Sequence, residues 1–231
     1  MPALLPRSKK LRIALIVVAS IVVIAIVAAV IASTGGSGNK KRASTTKPTA
    51  PATTSALKLE IGTVKVQNTG SPTKLDTSLS RALLHDAQIY VNDAVLAPLE
   101  SGNVDNAYEK VFGLSLRPAA SGPDRGALTE AKTGVARGPV QATASRVRLD
   151  GIGDTDGKIA LVATTFTLTV KATTPVGPLT IHRSTALTFE NQFGSWVVTA
   201  YDVGVLRTVG ATTTSKHASS PGGTGRHGVA T

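Results

Sequence analysis

Twenty consecutive residues, Ile13 to Ala32 (IALIVVASIVVIAIVAAVIA), carry a single polar side chain, Ser20. As a helix rising about 1.5 Å per residue, this segment matches a bilayer hydrocarbon core of about 30 Å, which predicts a transmembrane span. Its apolar stretch exceeds the roughly 7–15 residues of a secretory h-region, so a retained signal anchor is expected, with cleavage after "VIA" at Val30 to Ala32 as the alternative. The chain has no cysteine to acylate, which excludes a lipid anchor formed after cleavage. Four basic residues precede the span (Arg7, Lys9, Lys10, Arg12) and four follow it (Lys40, Lys41, Arg42, Lys47). The first group abuts the apolar stretch and the second stands apart from it, so residues 1–12 are expected in the cytoplasm and the rest outside it. The predicted location is the plasma membrane, as a single-pass protein.

The net charge of +11 raises nucleic acid as a partner, and its distribution argues against one. Met1 to Ala56 holds eight basic and no acidic residues, whereas Leu57 to Arg207 holds 15 basic against 14 acidic. The part with folding capacity is thus nearly neutral. With one Trp, three Tyr and four Phe, no base-stacking platform is visible either. The missing cysteines remove disulfides, thiolate chemistry and cysteine-type zinc sites, and nothing in the sequence asks for a cofactor.

Ser33 to Ala56 is rich in Ser, Thr, Gly, Pro and Ala without a large apolar side chain, and reads as a flexible tether. As a coil it would span roughly 25–30 Å. Residues 208–231 read the same way, as a disordered tail with His217 and His227 isolated. Between them, residues 57–207 make one domain. "ALKLEIGTVKVQ" alternates like a strand interrupted near Gly62. Asp76 caps a helix with Leu79, Leu83, Ala87, Tyr90 and Ala94 on one stripe, expected to stop at Pro98. A shorter helix is expected in "NVDNAYEKVFG", with Ala107, Tyr108 and Val111 inward, and the following stretch to Pro139 is rich in turns. Four β-branched runs then follow, "VQATASRVRL", "KIALVATTFTLTVKA", "LTIHRSTALTFE" and "SWVVTAYDVGVLR". The expected fold is therefore α+β, with helices packed on an antiparallel four- to five-stranded sheet.

A four-residue loop at Asn191 to Gly194 would pair Glu190 with Ser195, Phe189 with Trp196 and Leu187 with Val198. The same register places Arg183 opposite Asp202. That pair is the candidate site, either as a structural ion pair at the end of the core or as the polar contact of a ligand held between sheet and helices. "DTDG" at Asp154 to Gly157 echoes part of a calcium loop, but Ile152 and Ala163 stand at its first and twelfth ligand positions, and a plain hairpin turn is expected. No metal site follows. His85 and His182 complete no triad, and no nucleophile motif occurs, so the sequence reads as non-enzymatic.

The segments "APLESGNVDNAYEKVFG", "DRGALTEA" and "KIALVATTFTLTVKATTPVGPLTIHRSTALTFE", and above all the closing "SWVVTAYDVGVLR" with its Trp, aromatic-Asp pair and final Arg, carry a resemblance. The domain resembles the extracytoplasmic NTF2-like (cystatin-like) domains of actinobacterial single-pass membrane proteins. Its layout is similar to that of the Mce-associated membrane proteins. The resemblance implies a cone-shaped domain whose sheet and helices can enclose a pocket. It also implies either a protein-docking role at a cell-envelope or membrane complex, or a small-molecule or lipid-binding role through that pocket. Function then has to be argued from the site.

Overall fold

The computed structural model describes residues 57–68, 73–104 and 106–220. The expected anchor at Ile13 to Ala32, the expected tether at Ser33 to Ala56 and the end of the expected tail lie outside them. No helix among the described residues is long and apolar enough to cross a membrane.

The first strand, β1 (Ile61–Asn68), has its register irregularity between Ile61 and Thr63, around Gly62. Helix α1 (Thr77–Ile89) starts where Asp76 Oδ1 accepts from Leu79 N at 2.7 Å, and that bond holds the carboxyl below its ordinary pKa. The helix does not stop at Pro98. It widens into a π-helical segment, Tyr90–Leu96, and continues as α2 (Ala97–Ser101) until Gly102 turns left-handed at φ +76. Pro98 lies in the first turn of α2, where its missing N–H costs least. The buried stripe is the expected one, with Leu83, Ala87, Tyr90 and Ala94 fully buried. A 3₁₀ turn (Asn106–Val111) buries Tyr108 and Val111, and the turn-rich stretch holds two short helices, α3 (Arg117–Ser121) and α4 (Arg125–Leu128).

The expected sheet, antiparallel with four to five strands, is corrected in three places. "VQATASRVRL" is two strands, β2 (Gln141–Ala144) and β3 (Val147–Gly153), which both pair with β4 (Ile159–Thr174), a strand of 16 residues. Beyond β5 (Gly177–Gln192) and β6 (Ser195–Val209), a seventh strand β7 (Thr212–Ser219) arises from the segment expected to be disordered. Its Thr-rich, β-branched sequence suits a strand, and Gly210 at φ +57 makes the tight turn into it. Finally, β1 runs parallel to β3, so the seven-stranded sheet is mixed, in the order β1-β3-β4-β5-β6-β7 with β2 beside β4. A parallel pair needs a crossover, and the helices between β1 and β3 are that crossover. These changes overturn the expected fold class. The observed sheet has more strands than the four to five expected, and a parallel edge where the expectation is an antiparallel NTF2-like sheet.

The inner face of the sheet packs on the helices. Phe112 sits at the centre, with Tyr90, Tyr108 and Tyr201 edge-on to it at centroid distances of 6.1, 6.3 and 5.5 Å.

Candidate functional site

The register of the β5–β6 hairpin decides which polar side chains meet. Its loop has two residues, not four: Gln192 pairs with Ser195, while Phe193 (φ 56) and Gly194 (φ 89) form the turn. A two-residue turn with positive φ at both positions favours Asn-Gly or Gly-Gly, so Phe193 conceals it from the sequence. A bulge follows, with Phe189 opposite Val198 and Thr188 opposite Ala200, which leaves Thr199 as the extra residue. Turn and bulge together shift the expected pairing by three residues. Arg183 therefore stands opposite Val205, and Asp202 opposite Ala186.

The candidate pair is thus separated onto the two faces. Asp202 lies on the outer face, where its Oδ1 is 3.3 Å from His217 Nε2 of β7; partial burial raises the Asp202 pKa, against the pull of His217. Arg183 faces the core with 1% of its side chain exposed. There its Nη1 donates to Glu130 Oε1 at 2.6 Å, and its Nη2 donates to Tyr90 Oη (2.9 Å) and to the carbonyls of Ala127 (2.7 Å) and Leu128 (3.0 Å).

Glu130 is shared with a second arginine. Arg207 donates from Nε to Oε2 at 2.6 Å and from Nη2 to Oε1 at 2.9 Å, and reaches the carbonyls of Gly126 (3.2 Å) and Thr129 (3.3 Å). Thr133 Oγ1 adds a further donor to Oε2 at 2.6 Å. Two guanidinium groups against one carboxylate leave a buried formal charge of about +1. Four successive carbonyls, from residues 126 to 129, face those cations, so the uncompensated charge meets aligned dipoles in place of water. Burial raises the Tyr90 pKa even though Arg183 beside it works the other way, so Tyr90 stays a neutral donor to Leu128 O at 3.1 Å.

The cluster is a clasp on the segment Ala120–Glu130. The hydroxyls of all three tyrosines end on it, at Leu128 O, Ala120 O and Asp124 Oδ2. Nothing in the geometry presents Arg183 to a ligand. Two clefts, of about 240 and 420 Å³, are lined elsewhere, by Arg137, Gln141 and Lys171 and by Lys65, Arg148 and Asp150.

Glu130 and Arg207 were the residues the sequence reading missed as partners. The alternation Val203, Val205, Arg207 puts the arginine on the buried face, and that signal was available. Glu130, in an irregular stretch, had none.

Catalysis finds no support among the described residues. Ser184, His217 and Asp202 gather around Gly204 on the outer face, where a Cβ on Gly204 would lie 2.8 Å from Ser184 Oγ and 3.8 Å from His217 Nδ1. Around Gly204 both β5 and β6 are paired on each side, so the N–H groups there are spent in the ladders and do not offer an oxyanion hole. His182 only meets Thr169 Oγ1 at 3.2 Å. The "DTDG" loop is a hairpin turn in which Asp154 Oδ1 accepts from Asp156 N (3.0 Å) and Lys158 N (2.7 Å), and no group of metal-ligating side chains forms among the described residues. No family model, curated protein or solved structure matches the chain.

Proposed function

We propose that this chain is a membrane-anchored extracytoplasmic interaction module, accessory to a cell-envelope or membrane complex. The observation that carries this reading is the closed clasp. The interior polar groups that could have recognised a ligand are turned onto the protein's own backbone, with Glu130 fully buried and Arg183 nearly so. They spend their binding capacity on shaping the domain, which leaves its surface to make external contacts. The apolar Ile13 to Ala32, its basic flanks and the Ser/Thr/Pro-rich tether support the anchored arrangement, as does the layout resembling Mce-associated membrane proteins.

The alternative of a small-molecule or lipid site at Arg183 and Asp202 loses its footing, because one faces the core and the other the outer surface. The test is a mild-detergent pull-down of the full-length chain from its native membrane, with bound proteins and small molecules both identified. A stoichiometric protein partner is expected. Recovery of the chain alone would refute the docking role.

A further inference from the structure

The outer face carries a second group of charges that the clasp does not use. Lys65 on β1 is the register partner of Asp150 on β3, and Thr63 is that of Arg148, so the parallel pair brings two cations and one carboxylate to one wall. Adjacent strands are about 4.8 Å apart, which places the Lys65 and Asp150 side chains side by side. They line an open cleft of about 420 Å³, together with Gln67 and the apolar Val66 and Ile152.

Within the cleft Asp150 is committed to Arg148. Arg148 Nη2 donates to Asp150 Oδ1 at 2.9 Å, and Nε lies 2.6 Å from Oδ2 but off the hydrogen-bond axis, an ion contact without a directed bond. The Asp150 side chain is 11% exposed and that of Arg148 38%. A mostly buried carboxylate thus holds one edge of a half-open guanidinium and fixes its orientation. Nη1 has no partner among the described residues, and exposed Lys65 forms no ion pair there. One orientation-fixed fork and one mobile point charge, converging from two strands with a net charge of about +1, form a receptor for an oxyanion.

We infer that this cleft binds a phosphate group, through the Lys65 ammonium and the Arg148 guanidinium, with Asp150 as the positioning residue. The volume exceeds that of phosphate alone and leaves room for a substituent against Ile152, which shares the face of Asp150. Either a soluble phosphate ester or a phospholipid headgroup offers this chemistry. The inference stands apart from the docking role and does not depend on it.

The test is calorimetric titration of the full-length chain in neutral-detergent micelles with inorganic phosphate, and separately with the same micelles doped with phosphatidic acid or with phosphatidylcholine. Saturable binding of phosphate is expected, weakened at least tenfold by Lys65→Ala and by Arg148→Lys, which keeps the charge and loses the fork. Saturation by phosphatidic acid micelles alone, with the same dependence on both residues, would assign the headgroup as the source. Asp150→Asn separates positioning from charge: it makes the cleft more positive, yet weaker binding is expected because Arg148 loses its orientation. No binding of either phosphate source, binding unchanged in Lys65→Ala and Arg148→Lys, or tighter binding in Asp150→Asn would each overturn the assignment. Denaturation midpoints of the variants verify that each is folded.

Discussion

The hairpins β4–β5–β6 and the segment Ala120–Glu130 are held by opposite means. The hairpins are tied by long ladders and a largely apolar inner face that repeats every second residue, as in Leu179, Ile181, Leu187 and Phe189. The segment holds the end of α3 and the four-residue α4, with little apolar surface to bury. It is held by three tyrosine hydroxyls and two arginines that arrive from the π-helical segment, the 3₁₀ turn, β5 and β6. Periodic burial lets a region specify itself locally. Convergent polar contacts make a region depend on every element that reaches it.

The sharpest way to break this comparison is Glu130→Ala, which strands two buried guanidinium groups. A loss of about 3–5 kcal/mol is expected in denaturant titration, because unpaired buried charge is far more costly than the net worth of the pair it replaces. A loss comparable to that of a surface substitution would reduce the clasp to an incidental contact.

Alkali should test the tyrosines. Burial raises the pKa of all three hydroxyls, that of Tyr108 from 10.0 to about 12, with Asp124 reinforcing the effect at Tyr201. A raised acid pKa means that the folded state keeps its proton longer than the unfolded one. The stabilisation is therefore complete below about pH 10 and declines as the pH rises toward 12. Tyrosinate absorbance and loss of near-ultraviolet dichroism should rise together in that window. Ionisation near pH 10 with the fold intact would mean the hydroxyls are not engaged.

The smallest effect belongs to the hairpin. Phe193 is fully exposed and holds φ 56, so Phe193→Gly relieves strain without removing a packed side chain. A gain of up to about 1 kcal/mol in stability is expected. Destabilisation would indicate that the turn adopts another geometry in solution.

Much of the architecture was legible because it is periodic. The stripe through Leu83, Ala87, Tyr90 and Ala94, the Asp76 cap and the strands containing Phe166, Leu187 and Val203 all follow from spacing alone. The unexpected features each arise where a local rule is broken. A Phe occupies a left-handed turn position, a single extra Thr changes the parity of β6, and a Thr-rich tail adds an edge strand.

The candidate site shows the same division. Alternation along β5 determines that Arg183 shares a face with Ile181 and Leu187, and the sequence alone is enough to place it inward. Its partner is not a local property. Glu130 lies 53 residues away, in a segment without regular periodicity. Only the packing of that segment against the sheet could bring the carboxylate between two arginines, because a buried charge takes whichever acceptor the tertiary structure carries to it.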